Sequence, residues 1–354
     1  MRILILQDFL RNGGTERQTL LLAGDFANAG HTVSLLTFRP GGCLARSLPR
    51  RVHHHPLQPF DTGLDWLALG LRRALLRAAP AIVLCMGRMA NCHGWRIQRW
   101  LPGTPVISTM RTGKSLPWLY RKTLRETRHT IANSHEAART LKTQYGIPQG
   151  KISVIHNAVV FAPTSPHTPT NTPRPNGPAM LCTAMFRPEK NQRELIEIAA
   201  QLPRDKAWQL WLVGDGPARP ACEHLARESG IAGRVVFLGF QEDPGAFYLA
   251  ADLAVLASRY ESLPNFLIEA HTHGLPSLAY AAGGVAECGG MVVPQGDQKA
   301  FRQLLERLLF DPAYRAECAA SAKAGAQQFS RERQLEDYTR LFARLTGAQS
   351  PKPG

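Results

Sequence analysis

At 354 residues the chain is long enough for two domains of ordinary size, and no apolar run reaches the ~20 residues that span a bilayer. Seven cysteines are scattered without a C-x-x-C pair, which excludes a disulfide framework and a zinc ribbon and fits reduced thiols. The net charge of +15 lies wholly in one half: residues 1–160 carry 22 Lys and Arg against 7 Asp and Glu, whereas residues 161–354 carry 20 of each. Such asymmetry points to an anionic partner for the first half: nucleic acid, a membrane surface or a phosphorylated substrate.

Residues 2–7 (RILILQ) meet Asp8 too soon for a signal-peptide core and read as a first strand, which places the chain in the cytoplasm. Gly13 and Gly14 follow, then apolar residues at helical spacing from Leu20 to Phe26, ending at Gly30. A glycine loop between first strand and first helix lets backbone N–H groups approach a phosphate, although the same pair also reads as a tight turn. The pattern is not G-x-G-x-x-G. The second strand, Thr32 to Phe38, ends at Arg39 and not at an acid that would hold an NAD ribose, which argues against a dinucleotide dehydrogenase. His53, His54 and His55 read as a solvated or acceptor-side loop, since adjacent histidines cannot easily ligate one metal.

Leu64 to Ala79 reads as a helix and Ala81 to Cys85 as a strand, with Arg88 and His93 just beyond. Both are candidates for an acceptor or phosphate site, although His93 reads first as a helix-surface residue. The strand Val106 to Thr109 ends at Arg111, a fair phosphate ligand in that position or an ordinary surface cation. From Gly113 to His129, Trp118 and Tyr120 are mixed with Lys114, Arg121, Lys122, Arg125 and Arg128; Trp95, Arg96, Arg99 and Trp100 are similar. Rings beside cations suit a membrane interface, or a plain amphipathic helix with a basic outer face; the charge asymmetry favours the membrane. A strand from Thr130, a helix capped by Ser134 and a strand Ile152 to Ile155 lead to Asn157. Residues 161–178 hold six prolines among Thr, Ser and Asn and form a semi-rigid linker where the charge step falls.

Ala179 to Ala184 opens a second α/β series, followed by Arg187 and Lys190 ahead of a helix, a placement that can neutralise a pyrophosphate. Trp208 to Val213 is a strand that ends in the turn Gly214-Asp215-Gly216-Pro217. A helix follows to Gly230, then a strand Val235 to Leu238 ending at Gly239-Phe240, then a short helix, Asp243 to Ala251. Asp252 to Ala257 (DLAVLA) reads as a buried parallel strand. Pro264 fits the first turn of the next helix, with Ser262 as its cap and Gly274 as its stop. Glu261 therefore lies in the loop leaving a strand, and Glu269 in the second turn of the following helix. That junction is where open α/β sheets bind ligands, because N–H groups and the helix dipole face the crevice. Residues from Gln298 to Thr346 read as helices.

Tyr260-Glu261 to Glu269-Ala270, followed by GLPSLAYAAGGVAE, resembles the E-x7-E signature of the retaining nucleotide-sugar glycosyltransferases of family 4, group 1. GGTERQTLLLA followed by GHTV resembles the first loop and helix of the same family, and the resemblance covers most of the chain. It implies the GT-B fold: two Rossmann-like α/β/α domains facing across a cleft. The implied division is an acceptor domain over 1–160, the linker 161–178, a nucleotide-sugar domain over 179–330, and a terminal helix within 331–354 crossing back to the first domain. It also implies roles. Glu261, Lys190 and Arg187 would be catalytic. Gly13, Gly14, Gly214, Gly216, Phe240, Ser262, Leu263, Pro264, Asn265 and Glu269 would bind the donor. Arg88, His93, Arg111 and Asn157 are the acceptor or phosphate candidates. The chain departs from the family where Met185 replaces the usual Arg, where a His is missing after Cys85, and where Ala158 and Val160 alter the Asn157 turn.

No D-x-D occurs, so no metal and no cofactor is expected, and the charge of a leaving diphosphate falls to Arg187, Lys190 and the helix start near Leu263 to Asn265. The resemblance implies a UDP- or GDP-hexose donor, a lipid-linked or cell-envelope glycan acceptor of lipopolysaccharide or exopolysaccharide type, and retention at the anomeric carbon. The expected place of work is the inner face of the cytoplasmic membrane. Alternatives are a GT-B sugar-nucleotide epimerase or hydrolase, and a non-enzymatic basic protein bound to nucleic acid. The last is poorly explained by alternating strands and helices with phosphate loops, so no nucleic-acid partner is expected.

Overall fold

The computed structural model describes residues 1–159 and 177–347. These form two compact units, one from residues 1–159 with 331–347 and the other from residues 177–330. Most of the Pro-rich 161–178 segment lies outside the described residues, as do 348–354.

The first unit is built on seven parallel strands: β1 (Arg2–Gln7), β2 (Thr32–Thr37), β3 (Val52–Pro56), β4 (Ile82–Cys85), β5 (Val106–Met110), β6 (His129–Ala132) and β7 (Ile152–Val154). Their spatial order is β3-β2-β1-β4-β5-β6-β7. Helices α1 (Gly14–Asn28), α2 (Leu71–Ala78), α3 (Arg88–Trp100), α4 (Trp118–Glu126) and α5 (His135–Thr143) connect them. In β1, Ile3 and Ile5 enter one buried cluster with Phe26 of α1, whereas Leu4 and Leu6 enter another with Leu71, Leu75 and Ile97. Period-two alternation with both faces apolar requires a layer on each side of the sheet, which explains an apolar run without polar interruption. Ser134 caps α5 as its sequence predicts, its Oγ accepting from the Ala137 N–H at 3.0 Å.

The last helix, α12 (Arg331–Thr346), packs on this first unit. Phe26 meets Tyr338 edge-on at 5.6 Å and Phe342 at 5.4 Å, Arg331 pairs with Asp25, and the Gln334 side chain donates to the His156 carbonyl at 2.7 Å.

Two expectations for this half need correction. The helix expected over Leu64 to Ala79 is confined to α2, because Gly70 takes a left-handed conformation (φ 65°). The preceding turns are held instead by the Gln58 amide, which donates to the carbonyls of Leu64 (2.9 Å) and Leu67 (2.7 Å). His53 to His55 are not a loop but the middle of β3, an edge strand in which His54 pairs with Leu35. The reason is alternation: Val52 is buried, and the His54 ring turns back to Thr37 Oγ at 2.9 Å. Its ring charges less readily than usual because of partial burial and the neighbouring His55.

The second unit carries β8 (Ala179–Thr183), β9 (Gln209–Val213), β10 (Val235–Gly239), β11 (Leu253–Leu256), β12 (Ser277–Tyr280) and β13 (Met291–Val293), in the order β10-β9-β8-β11-β12-β13, all parallel. Its helices are α6 (Gln192–Ala199), α7 (Arg219–Glu228), α8 (Gly245–Ala250), α9 (Asn265–Thr272), α10 (Gln298–Phe310) and α11 (Pro312–Ala326). The chain runs outward from β8 to β10, then returns to β11 on the other side of β8. That reversal sets a topological switch point between β8 and β11.

Candidate active site

At a switch point the two flanking loops leave the sheet in opposite directions and open a crevice at the strand C-termini. Here they are the loop after β8, carrying Arg187 and Lys190, and the loop after β11, carrying Glu261. The two are tied together. Lys190 Nζ lies 2.6 Å from Glu261 Oε1. Below that pair the Arg259 N–H donates to the Glu189 carbonyl at 2.9 Å, and the Asn191 amide reaches the Ala257 carbonyl at 3.3 Å. Asn191 sits in the left-handed region (φ 55°), which Asn tolerates better than most residues, and this bends the chain so that Lys190 points back across the crevice. Its amide also donates to Glu194, a buried carboxylate that accepts from Tyr280 Oη at 2.8 Å and Gln298 Nε2 at 3.3 Å. Arg187 is exposed at the rim, and among the described residues its guanidinium makes no hydrogen bond or ion pair.

Glycines let the backbones close on each other. Gly283 follows β12 with φ 52°, and a Cβ there would land on the Glu261 carbonyl oxygen. The Gly284 N–H donates to the Ser262 carbonyl at 2.9 Å, so this pair forms the floor under the Glu261 loop. At the other side Gly214 (φ 134°) and Gly216 (φ 149°) lie against the Ala184 and Phe186 carbonyls, where any side chain would collide. The Gly214–Pro217 turn is thus packed on the Arg187 loop. Phe240, just beyond β10, is about half exposed (48%).

Glu269 lies in the second turn of α9, as its spacing predicts, and is buried. Its Oε2 accepts from Tyr248 Oη at 2.7 Å, and its backbone carbonyl faces His273 Nδ1 at 2.8 Å. His273 stacks on Tyr248 at 4.9 Å between ring centroids. Burial, then the Glu269 charge, push the Tyr248 hydroxyl well above its ordinary value, so it stays a donor at any working pH. The expectation for the helix start is corrected: Pro264, not Ser262, holds the cap position, and no side chain caps α9 there. Proline suits the place because its missing N–H would have no partner in that position. Leu263 is buried, and Ser262 and Asn265 are partly exposed beside it.

In the first unit the crevice lies between β1 and β4. Gly13 is the cap residue of α1, extended at φ −117°, with Gly14 opening the helix. Arg88 is exposed at the start of α3 and donates to the Ser115 carbonyl at 3.0 Å. His93 faces the Trp66 carbonyl at 3.2 Å and meets Phe38 edge-on at 5.1 Å; burial keeps its ring from charging readily. Arg111 and Asn157 come together, Nη1 lying 2.5 Å from Asn157 Oδ1, with Nη2 donating to Tyr338 Oη at 2.8 Å.

Residues 12–162 match the family described as Glycosyltransferase Family 4, and residues 177–311 the family described as Glycosyl transferases group 1. The chain belongs to the family 4, group 1 glycosyltransferases. Its fold is the GT-B fold. The crystal structure of Anabaena Alr3699/HepE in complex with UDP-glucose superposes with a TM-score of 0.80 at 22% identity, covering 97% of this chain and 99% of that one. WaaG, a glycosyltransferase involved in lipopolysaccharide biosynthesis, superposes at 0.76 and 18% identity over 98% and 100%. Among curated relatives, the lipopolysaccharide core biosynthesis glycosyltransferase LpsE of Rhizobium meliloti (strain 1021) is 32% identical over 174 residues, 48% of this chain and 50% of LpsE. The matched part thus spans half the length of that relative, and 18% and 41% of the next two.

For a member of this family, three residues around the crevices escaped the sequence reading. Asp8 directly follows β1, is buried, and accepts from the N–H groups of Met89 (2.9 Å) and Ala90 (2.6 Å), so it fills the N-terminus of α3. Burial lifts its carboxyl to about 6 against the pull of those two N–H donors. An acid directly after an apolar strand was a visible signal. Glu194 and Tyr248 gave no such signal, because their partners are distant in sequence.

Proposed function

We propose that the chain transfers a hexose, with retention, from a UDP- or GDP-sugar to a lipid-linked or cell-envelope glycan of the lipopolysaccharide or exopolysaccharide type, without a metal or other cofactor. The reading is carried by one arrangement. Glu261 and Glu269, eight positions apart, lie on either side of the α9 start, and Lys190 bridges to Glu261 across the switch-point crevice at 2.6 Å. Lys190 and Arg187 would meet the diphosphate charge together with the N-terminus of α9. Electrostatic stabilisation of a developing anion in a water-poor site is commonly the largest single contribution to such catalysis, often several kcal/mol.

In this mechanism the bond between the anomeric carbon and the phosphate oxygen breaks, its electron pair staying with the diphosphate. The acceptor hydroxyl forms the new bond on the same face, and its proton passes to the leaving phosphate oxygen, so no side-chain base is needed. Positive charge on the sugar ring in between has the oxocarbenium character of other glycosyl chemistry. Glu261 would orient sugar hydroxyls, and Glu269, with one oxygen held by Tyr248, would offer the other to the ribose. Phe240 would flank the base, and Gly214, Gly216 and the Ser262–Asn265 turn would line the nucleotide. Gly13 and Gly14 would approach the phosphates, and Arg88, His93, Arg111 and Asn157 would serve the acceptor side. Names among the relatives support the acceptor class: LpsE acts in lipopolysaccharide core biosynthesis, and a Salmonella typhi relative carries the name Vi polysaccharide biosynthesis protein VipC/TviE. Among the described residues no helix is long and apolar enough to cross a membrane; the basic first half fits work at the inner membrane face.

The test is transfer of labelled hexose from UDP- and GDP-sugars into membrane glycolipid extracts, with Lys190→Ala and Glu261→Ala as controls. Label in the glycolipid that both substitutions abolish is the expected result. Release of free hexose without an acceptor, or conversion of the sugar nucleotide to its epimer, would support the hydrolase or epimerase reading instead.

A further inference from the structure

From Trp66 to Arg125 the chain holds sixty residues without a single Asp or Glu and with eleven Lys and Arg. The structure gathers part of that stretch into an open groove of about 560 Å³ between α2 and α3. Its walls are Arg72, Arg73 and Leu76 of α2, and His93, Arg96 and Trp100 of α3. Neither helix carries an acidic residue. Among the described residues the guanidinium groups of Arg72 and Arg73 make no hydrogen bond or ion pair, and Arg96 lies only over the Trp100 ring, 5.0 Å from its centroid. The acids flanking this stretch in sequence are engaged elsewhere and so do not neutralise the groove, Asp61 and Asp65 by Arg39 and Glu126 by Arg99 and Lys122. Three cations without a counter-charge around one concavity are a liability unless an anion enters it.

The groove also has an apolar rim. Leu64, Trp66, Leu69 and Leu76 are 39%, 55%, 48% and 55% exposed, four of the eleven large hydrophobic side chains left exposed among the described residues. The segment bearing the first three is anchored over α3 by the His93 contact to the Trp66 carbonyl, and Ala68 and Gly70 complete the groove wall. Of the aromatics expected to face a membrane from α3 and α4, Trp118 stays open at the start of α4, 68% exposed, but two others are engaged. Tyr120 is buried with its hydroxyl on the Thr109 carbonyl, and Trp95 is covered by Lys122 at 3.8 Å and Arg99 at 5.2 Å.

We infer that the α2–α3 groove and the apolar segment before it form the surface that docks on an anionic bilayer. A phospholipid phosphate enters between Arg72, Arg73 and Arg96, and Leu64, Trp66, Leu69 and Leu76 dip into the interface. Cations supply attraction to the anionic surface, and buried apolar area supplies the part that salt does not screen. This rests on the membrane-face part of the reading above, and it places the main contact on α2 and α3, whose three cations lack a counter-charge, not on α4, where Lys122 pairs with Glu126 at 3.9 Å.

The experiment is co-sedimentation of the full chain with phosphatidylcholine vesicles, with and without a third of phosphatidylglycerol, at low and physiological salt. Wild type is expected to bind only the anionic vesicles. Arg72→Ala/Arg73→Ala/Arg96→Ala should lose about fivefold in partitioning per arginine, on the order of a hundredfold together. Trp66→Ser/Leu69→Ser should retain binding at low salt and lose it at physiological salt. Thermal denaturation of each variant, unchanged within a few degrees, shows that it remains folded. Equal binding to neutral vesicles, or undiminished binding of the triple variant, overturns the assignment. A loss caused instead by Trp118→Ser/Arg121→Ala moves the contact to α4. Absence of wild-type binding to any vesicle removes the membrane element of the proposed function as well. Failure of sugar transfer alongside intact vesicle binding leaves this surface standing and removes the transferase reading.

Discussion

Replacing Lys190 by Met keeps the volume of the side chain and removes its charge, leaving Glu261 unpaired in the crevice wall. The Glu261 side chain is 9% exposed and that of Lys190 28%. Breaking a fully buried ion pair costs roughly 3–5 kcal/mol, chiefly because the remaining charge has lost both water and partner. Solvent reaches Lys190, so the figure is reduced to about 2 kcal/mol here. Glu261→Gln alone should cost less, because an amide in that site needs no counter-charge. In the double variant the amide faces the Met side chain, and most of the single Lys190→Met cost should disappear. Urea denaturation of the four proteins gives the coupling, expected at about 1.5–2 kcal/mol. The same lysine is assigned to the leaving diphosphate, so sugar transfer by Lys190→Met should fall ~100-fold or more at saturating donor. Additive stabilities, with a coupling below about 0.3 kcal/mol, would refute the ion pair as an organising contact of the crevice. Full transfer activity in Lys190→Met would refute its role with the diphosphate.

Gly283→Ala should destabilise by at least about 2 kcal/mol and weaken donor binding, since φ 52° and the Glu261 carbonyl both exclude a Cβ; an unshifted urea midpoint would contradict the packing. Tyr248→Phe should cost about 2 kcal/mol through the lost hydrogen bond to the Glu269 carboxylate at 2.7 Å, and should weaken nucleotide binding without altering the rate at saturation; a change in rate alone would place Tyr248 elsewhere in the mechanism. Asp8 makes a prediction about pH. Its folded-state value of about 6 exceeds the ordinary 3.8, so the native state holds the proton more tightly than the unfolded chain. Its contribution to stability is then full below pH ~4 and lost as pH rises through about 6, a difference on the order of 3 kcal/mol. Denaturation midpoints between pH 4 and 7 should fall more steeply for wild type than for Asp8→Asn, and parallel slopes would show that the carboxyl is not perturbed.

Much of the second unit was legible because its signals are local. The spacing of Glu261 and Glu269, Pro264 at the helix start and Gly274 at its end lie within one strand-loop-helix segment, and their placement follows from chain geometry. The expected cap at Ser262 failed by two positions because proline took that place itself, a boundary shift of the usual size. Less visible was what depends on pairing across the sheet. His53 to His55 look polar and loop-like in isolation, yet they alternate along an edge strand that β2 recruits. Glu194 and Tyr248 owe their roles to Asn191, Tyr280 and Glu269, which only the folded chain brings near. The charge excess of the first half was readable, but which rings are engaged required the packing: Tyr120 of α4 is buried and Trp95 of α3 lies under Lys122, whereas the groove between α2 and α3 stays open.

The central claim is that the β8–β11 crevice binds a nucleoside diphosphate sugar through Lys190, Glu261 and Glu269 without a metal. Isothermal titration of UDP, GDP and their hexoses into the protein in excess EDTA tests it directly. One base series is predicted to bind in the micromolar range, with affinity falling at least tenfold in Glu269→Ala. Absence of binding by every nucleotide until a divalent cation is added, or equal affinity in Glu269→Ala, would contradict it.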